Sequence, residues 1–185
     1  MTEENRQTGN RIILPEQEGI RKLEDEVIYF IGSLRNEKVP FLAKKLRKIG
    51  VKEVFDDWFS PGPHADDFWR NYEKTRGSTY SQALNGWAGK HIFEFDSFHI
   101  ERSTTGVLYM PCGKSGHTEL GVMIGRGKKG YVLFDEEPKR WDVMYQYADG
   151  IFFNFDDLKE ELIKNRSIKN KLYTSLGLPS PFKSS

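Results

Sequence analysis

The stretch Val27-Ile28-Tyr29-Phe30-Ile31, with Gly32-Ser33-Leu34-Arg35 directly after it, decides the fold. Its β-branched and aromatic residues form a continuous apolar run that ends at a glycine, which is typical of a strand buried on both faces. Val39–Ile49 has apolar residues at helical spacing with Gly50 as a stop, and Val51–Phe55 has the composition of a second strand. A β-α-β unit of this kind predicts a parallel sheet.

The same alternation of strands and helices returns after residue 104. The sequence therefore predicts an α/β fold, with a five-stranded parallel doubly wound sheet of the flavodoxin/Rossmann-like kind flanked by helices. We expect residues 1–25 to form a polar N-terminal arm with a candidate helix at Glu16–Glu26, residues 26–165 a single domain, and residues 166–185 a C-terminal tail. The later elements are predicted as strands at Thr105–Met110, Gly130–Phe134 and Ile151–Phe155 and as helices at Gly116–Gly125 and Asp156–Lys164.

Residues 56–90 interrupt this alternation and are unusually aromatic. Pro and Gly make Asp56–Pro63 a loop, Ala65–Arg76 has a helical pattern, and a second helix is predicted from about Thr79 to Arg102. We expect most of the rings to pack these helices onto the sheet, and one or two to stack on a planar ligand. The rings are Trp58, Phe59, Phe68, Trp69, Tyr72, Tyr80 and Trp87.

Composition excludes several classes of protein. In 185 residues, 28 Lys and Arg oppose 27 Asp and Glu, so the net charge of +1 provides no field to hold nucleic acid or a membrane surface. One cysteine makes neither an internal disulfide nor a thiolate zinc site. No apolar run approaches the roughly 20 residues of a membrane helix, and the opening MTEENRQTGN lacks the apolar core of a signal peptide. We expect a cytoplasmic protein that binds a small molecule, with no membrane or nucleic-acid partner.

In a doubly wound sheet, ligands bind beyond the carboxyl ends of the strands, near the point where the strand order reverses. The loop after the first strand offers Gly32 for close backbone approach, Ser33 as a hydrogen-bond donor and Arg35 for an anion or a hydroxyl. This loop matches neither the dinucleotide fingerprint nor the P-loop. An ordinary strand-to-helix turn has a similar composition.

Two acidic residues are candidates for glycosyl chemistry. Glu119 follows a loop rich in glycine, and a carboxylate held there on a helix can act as a nucleophile at an anomeric carbon. The alternative is a glutamate that only stabilises the helix dipole. Asp96 lies among aromatic residues, and burial among them would raise its pKa enough for proton transfer. The alternative is a solvated helix aspartate.

These stretches together resemble the nucleoside 2-deoxyribosyltransferase superfamily, which includes the 2'-deoxynucleoside 5'-phosphate N-hydrolases. The resemblance runs from about Val27 to Leu162. It implies cleavage or exchange of the N-glycosidic bond of a 2'-deoxynucleoside, or of its 5'-monophosphate, through a covalent glycosyl-glutamate intermediate. The motifs that carry it, in the family's order, are Tyr29 with Gly32-Ser33-Leu34-Arg35, Asp96 on a helix, Gly113–Gly121 with its Glu-Leu-Gly, and Trp141-Asp142-Val143-Met144.

The resemblance also implies roles for single residues. Glu119 matches the nucleophile that attacks C1' of the deoxyribose, Tyr29 the tyrosine that orients it, and Asp96 the acid that handles protons on the base. Ser33, Arg35 and Ser115 match positions at which the N-hydrolases hold a 5'-phosphate. The neighbouring glycines of these loops, Gly32 and Gly113, are further candidate substrate-binding residues.

Other parts of the chain are also expected to contact the substrate. Asp57 and Trp58 are candidate substrate-binding residues in the aromatic segment, with Trp58 as a flat wall for the base. Asp142 and Met144 match positions that a neighbouring subunit inserts into the site, which implies a homo-oligomer, a dimer or larger. The implied reaction needs no cofactor and no metal, and the four histidines show no shared ligand spacing.

The chain departs from the family pattern in two places that affect specificity. The Gly113–Gly116 loop lacks the acidic residue with which family transferases help to bind the base, so the base stays open. Asp142 stands where related proteins have Asn or Ser, and it would repel a 5'-phosphate, suit a 5'-hydroxyl or pair with Arg35. Transferase and hydrolase both stay open. The alternatives to either are a catalytically inactive nucleotide-binding module and an enzyme that cleaves NAD or ADP-ribose.

Overall fold

Residues 23–164 are described by the structure, a computed structural model. The predicted tail at 166–185 lies outside the described residues, as do most of the predicted arm at 1–25 and most of the candidate helix at Glu16–Glu26. The described part of the arm, Leu23–Asp25, forms a single 3-10 turn in which Leu23 is buried.

The sheet has five strands, and all neighbouring strands are parallel. Their order is β2-β1-β3-β4-β5, so the predicted five-stranded parallel sheet of the flavodoxin/Rossmann-like kind is confirmed. The two edge strands are shorter than the sequence predicts. The strands are β1 (Val27–Ile31), β2 (Glu53–Phe55), β3 (Thr105–Tyr109), β4 (Lys129–Leu133) and β5 (Gly150–Phe152).

Helices surround the sheet, and two short 3-10 helices lie at Asp57–Phe59 and Val143–Tyr147. Within residues 23–164, no helix combines the length and the apolar character that crossing a membrane requires. The helices are α1 (Lys38–Lys48), α2 (Ala65–Thr75), α3 (Tyr80–Asn85), α4 (Trp87–Arg102), α5 (Lys114–Gly125) and α6 (155–164, the last of the described residues).

The single helix predicted from about Thr79 to Arg102 is wrong. The chain forms two helices there, because Gly86 is extended between α3 and α4 with φ −71° and ψ 166°. Thr79 is the N-cap of α3, and its side chain and that of Gln82 each accept a hydrogen bond from the other's backbone N–H. The start of α5 is also two residues earlier than predicted, so Glu119 lies in its second turn.

Alternate residues of β1 point into two core layers. Ile28 and Phe30 pack on the side of α1, whereas Tyr29 and Ile31 lie on the other side, with Ile100 of α4. Along the sheet, β2 lies on one side of β1 and β3 on the other. The strand order therefore reverses at β1, and the expected place for a ligand is the carboxyl end of this strand.

Most rings of the aromatic segment lie outside this core. Trp58 and Phe59 pack against it, but the expectation that most of these rings pack their helices onto the sheet is wrong. The reason is that α2 buries only Glu73 and α3 only Ala83, so neither helix lies flat on the sheet. The exposed rings are Phe68, Tyr72, Tyr80 and Trp87.

Candidate active site

Three residues that the sequence singled out, Tyr29, Asp96 and Glu119, lie together on the side of the sheet that α4 and α5 cover. Tyr29 is buried in the middle of β1, opposite Gly106 of β3. Its hydroxyl faces the carboxyl of Asp96 on α4 and, as a hydrogen-bond donor, works to lower the pKa of that carboxyl. The charges of Glu119 and Asp96 both act on Tyr29, and the charge of Asp96 acts on Glu119. The fold thus assembles two carboxyl groups around one tyrosine.

The surroundings of the two carboxyl groups raise their pKa values towards neutral pH. Burial, and after it the charge of Asp96, raises the pKa of Glu119 to about 7. Burial also raises the pKa of Asp96 to about 6, although the hydrogen bond from Tyr29 works in the opposite direction. The pKa of Tyr29 itself is raised far above its usual value by burial and by the two acids, so its hydroxyl remains a proton donor. Such a pair can hold one proton near neutral pH, as acid–base chemistry requires.

Two contacts with β2 fix the position of α4 relative to the sheet, and this position brings Asp96 to Tyr29. The imidazole of His99, three residues after Asp96, stacks on Phe55 of β2 with ring centroids 3.6 Å apart and planes 9° from parallel. Arg102 of the last turn makes an ion pair with Glu53 at the start of the same strand. These contacts anchor the C-terminal half of α4 to β2, and Asp96 lies one turn above them.

Helix α5 lies very close to the sheet because Gly116 has no side chain. A Cβ atom at this position would lie 2.3 Å from Sγ of Cys112 and 2.8 Å from Cγ2 of Ile31. The Cys112 thiol donates a hydrogen bond of 3.1 Å to the carbonyl of Gly32, which joins the loops after β3 and β1. Burial, and after it the charge of Glu119, raises the pKa of Cys112 to about 11, so the thiol stays protonated at neutral pH.

The loop after β1 places Ser33 and Arg35 at the carboxyl edge of the sheet, but Arg35 is already paired. Its guanidinium lies 3.2 Å from a carboxylate oxygen of Asp67 and 3.7 Å from one of Asp66, both on α2. The Ser33 hydroxyl accepts a hydrogen bond from the backbone N–H of Arg35. Within one chain the partners of Arg35 are these carboxylates of α2, and the alternative that Asp142 of a neighbouring subunit pairs with Arg35 stays a prediction. The sequence pattern gave no signal for the pairing with α2.

Trp58 is held by the backbone rather than left free. Its indole N–H donates a hydrogen bond of 2.8 Å to the carbonyl of Phe30, and its ring lies against Gly32, where a Cβ would approach it to 3.3 Å. Trp58 is therefore a fixed wall beside the loop after β1. Asp57 is exposed. Its charge acts on His99 and Arg102, which lie nearer to the C-terminus of α4 than Asp96 does.

The first turn of α5 faces the same edge of the sheet. Gly113 is the N-cap of the helix and provides no side-chain cap, and Ser115 is exposed in the first turn. The first N–H groups of a helix have no partner within the helix, and they carry the positive end of its dipole. These two predicted residues therefore lie where backbone donors and a hydroxyl are available to an anion.

Asp142 and Met144 are exposed. The segment that carries them is held in place by a contact that the sequence did not predict. The Asp142 carboxylate accepts a hydrogen bond from the backbone N–H of Met144. Next to them, the Tyr145 hydroxyl lies 2.8 Å from Nε2 of His117, whose Nδ1 lies 2.8 Å from the carbonyl of Gly113. Since a carbonyl only accepts, Nδ1 of His117 carries a proton. The segment is thereby tied to the first turn of α5.

Within residues 23–164, no group of three or more His, Cys, Asp or Glu side chains has an arrangement that holds a metal ion. A scan against protein-family models finds no match to the chain, and searches of curated proteins and of solved structures find none either.

Proposed function

We propose that this protein cleaves or exchanges the N-glycosidic bond of a 2'-deoxynucleoside, or of its 5'-monophosphate, through a covalent bond between the sugar and Glu119. The observation that carries the proposal is the meeting of Tyr29, Asp96 and Glu119 beside the point where the strand order reverses. A half-buried pair of carboxyl groups with pKa values of about 6 and about 7 suits this reaction. The sequence resemblance to the nucleoside 2-deoxyribosyltransferases points to the same residues.

The chemistry takes two displacements at C1'. In the first, an oxygen of the Glu119 carboxylate bonds to C1' while the bond from C1' to the base nitrogen breaks. The electron pair of that bond stays with the base, and Asp96 supplies the proton that neutralises it. In the second, water or another base attacks C1', the bond to Glu119 breaks, and Asp96 takes back a proton from the attacking group. No metal or cofactor is required for either displacement.

The proton must be on Asp96 and not on Glu119 when the reaction begins. Without substrate the order is the reverse, because Glu119, with a pKa of about 7, holds a proton more firmly than Asp96, with about 6. A substrate favours the reactive arrangement, because positive charge that develops at C1' stabilises an ionised Glu119. The Tyr29 hydroxyl, which remains a donor, orients the Asp96 carboxyl beside it.

The 5' end of the substrate would meet the loop after β1 and the first turn of α5. Ser33, Ser115 and the positive end of the α5 dipole favour a phosphate. The ion pairs of Arg35 with Asp66 and Asp67 favour an uncharged 5'-hydroxyl, because they neutralise the nearest guanidinium. A phosphate therefore has to displace these carboxylates from Arg35 before it can pair with that residue.

Asp142 and Met144 are proposed to complete the site of a second subunit in a homo-oligomer. Exposed apolar residues flank them, since Trp141 and Val143 are both largely uncovered in one chain. Mixing two inactive variants tests this arrangement. Glu119→Gln and Asp142→Ala protomers together should recover part of the activity, because a mixed assembly contains one site with both wild-type residues. No recovery from a mixture that does exchange subunits would contradict a shared site.

Product analysis tests the proposed reaction. The protein is incubated with each common deoxynucleoside, each monophosphate and NAD, with and without a second base, and the products are separated by chromatography. We expect release or exchange of a base by the wild type and by Glu94→Gln, an exposed control on α4, but not by Glu119→Gln. Release without an acceptor base identifies a hydrolase, and exchange alone identifies a transferase. Loss of NAD alone, binding without turnover, or full activity of Glu119→Gln would overturn the proposal.

A further inference from the structure

One face of α4 carries a stripe of residues that continues beyond the core. Ile100 is buried at 6% exposure in the core layer that contains Tyr29, and Asp96 reaches the Tyr29 hydroxyl. Phe93 lies three residues before Asp96 and seven before Ile100. At this spacing the three side chains share one face of a helix, and we call Phe93, Asp96 and Ile100 the inner stripe of α4.

The upper end of the inner stripe is uncovered. Phe93 is 71% exposed although it shares the face that buries Ile100, and it belongs to neither of the two core layers formed by the described residues. Ile92, four residues before Asp96, also lies near this face and is 50% exposed. An open apolar surface therefore begins one helical turn from the Asp96 carboxyl, on the side of α4 that faces the sheet.

We infer that Phe93 forms a stacking wall for the base of the substrate, with Ile92 beside it, so that this pair contributes to the choice of base. The inference rests on the proposed function, in which Asp96 exchanges a proton with a ring nitrogen. A base that contacts Asp96 has to place its ring within a few ångströms of that carboxyl, and Phe93 is the aromatic side chain one turn away on the same face. A flat heteroaromatic ring is the ligand that gains most from an exposed phenyl ring.

The electrostatics of this surface fit a neutral aromatic ring. Phe93 and Ile92 contribute no charge, and Asp96 at the end of the surface provides one group that donates or accepts a proton. An uncharged base with a ring nitrogen satisfies both features at once.

Helix α4 also provides a matched control. Phe98 is 63% exposed, close to the value for Phe93, but it lies five residues further along and about 140° around the helix axis. It contacts His99 edge-on and lies under the guanidinium of Arg102, on the outer surface of the helix. Phe98→Ala therefore removes a similar exposed ring from the same helix without changing the inner stripe.

The test is a binding titration in a Glu119→Gln background, which prevents turnover. The probes are adenine, guanine, cytosine, thymine, their deoxynucleosides, and 2-deoxyribose 5-phosphate as a ligand without a base. We expect Phe93→Ala to raise the Kd of the base-containing probes about tenfold or more. It should leave the sugar phosphate unchanged, and Phe98→Ala should change neither class. Circular dichroism checks that both variants are folded.

Four results would overturn the inference. The first is that Phe93→Ala and Phe98→Ala change the Kd of the bases equally, and the second is that Phe93→Ala weakens binding of the sugar phosphate as much as binding of the bases. The third is that Phe93→Ala changes the oligomeric state and leaves base binding unchanged. The fourth is that the parent protein binds no base. Turnover by the wild type is measured separately. An active wild type with an unaffected Phe93→Ala variant refutes only the stacking wall, whereas an inactive wild type that still binds bases through Phe93 refutes only the proposed reaction.

Discussion

The hydroxyl of Tyr29 faces the carboxyl of Asp96, and the interaction between them joins the central strand β1 to helix α4. It also sets the acidity of Asp96. Burial raises the pKa of this aspartate, the hydrogen bond lowers it again, and the result is a value of about 6. A carboxyl group with that pKa is half protonated close to neutral pH. Tyr29 therefore adjusts the pKa of the group that is proposed to exchange a proton with the base.

Tyr29→Phe should therefore move the pH dependence of the reaction. Wild-type activity needs an ionised Glu119 and a protonated Asp96, which predicts a narrow optimum between about pH 6 and 7. Loss of the hydroxyl raises the pKa of Asp96, so the optimum moves to higher pH, whereas loss of the contact that orients Asp96 lowers kcat about tenfold or more. Tyr109→Phe is the control, because Tyr109 also donates to a carboxylate, Asp135, at 2.7 Å but on the other side of the sheet. A shift caused equally by both variants would contradict this role.

The two carboxyl groups should lower the free energy of unfolding at neutral and alkaline pH. Their pKa values in the folded protein, about 6 and about 7, lie above the roughly 4 of an unfolded chain, so the folded state binds more protons between these limits. Stability should fall as the pH rises from about 4 to 7. Asp96→Asn and Glu119→Gln should each regain about 1–2 kcal/mol at pH 8, measured by urea unfolding at pH 5 and pH 8.

Asp135→Asn is the opposite control for this titration. Burial works to raise the pKa of Asp135, but hydrogen bonds from Lys38 and Tyr109 hold it below its usual value. This group therefore contributes stability that is present at pH 8 and is lost as the solution becomes acidic. Its replacement should destabilise the protein at pH 8. If Asp135→Asn and Asp96→Asn changed the free energy of unfolding in the same direction at pH 8, the raised pKa of Asp96 would not reduce stability.

Gly116→Ala should be strongly destabilising. The added Cβ would lie 2.3 Å from Sγ of Cys112 and 2.8 Å from Cγ2 of Ile31, so α5 has to move away from the sheet, at a cost of about 2–3 kcal/mol. Gly121→Ala in the same helix meets no atom within 4 Å and should gain up to about 1 kcal/mol. Urea unfolding of both variants tests the difference. A Gly116→Ala protein as stable as the wild type would contradict the close packing of α5.

Asp67→Asn should change the preference for the 5' end of the substrate. Removing this carboxylate releases Arg35 from its 3.2 Å contact and leaves a guanidinium able to bind a phosphate. We expect the ratio of kcat/KM for the monophosphate to that for the nucleoside to rise roughly threefold or more, the modest effect that an exposed ion pair has. Asp56→Asn, which removes the partner of Arg47 instead, should leave the ratio unchanged. An unchanged ratio for Asp67→Asn would place the phosphate away from Arg35.

The fold was predictable from sequence because its elements have clear periodic signals. The apolar run of β1 is predicted at the same residues that the structure shows, since four consecutive buried positions leave little choice of conformation. The helix start at Thr79 was predicted, and Thr79 and Gln82 form a capping box there, but the break at Gly86 was missed. A glycine inside an apolar helical pattern was not enough to predict an extended residue.

The site was predictable only in part. The fold brings Tyr29, Asp96 and Glu119 together from three elements, and the resemblance of their motifs to a known family was what predicted a shared site. The partners of Arg35 on α2 and the contact of His117 with Tyr145 depend on how loops and helices dock. Neither contact has a periodic pattern in the sequence, and each joins segments whose relative position only the folded chain defines.

Mass spectrometry of the reacting enzyme tests the covalent bond to Glu119 most directly. The wild type is mixed with the deoxynucleoside or monophosphate that product analysis identifies, quenched in acid within the first turnovers, digested and mapped. The proposed function predicts that one deoxyribosyl group is attached to the peptide that contains Glu119. That modification should be absent in Glu119→Gln and should disappear when an acceptor base is added. Base release at the wild-type rate with no modified peptide, together with an active Glu119→Gln variant, would contradict it.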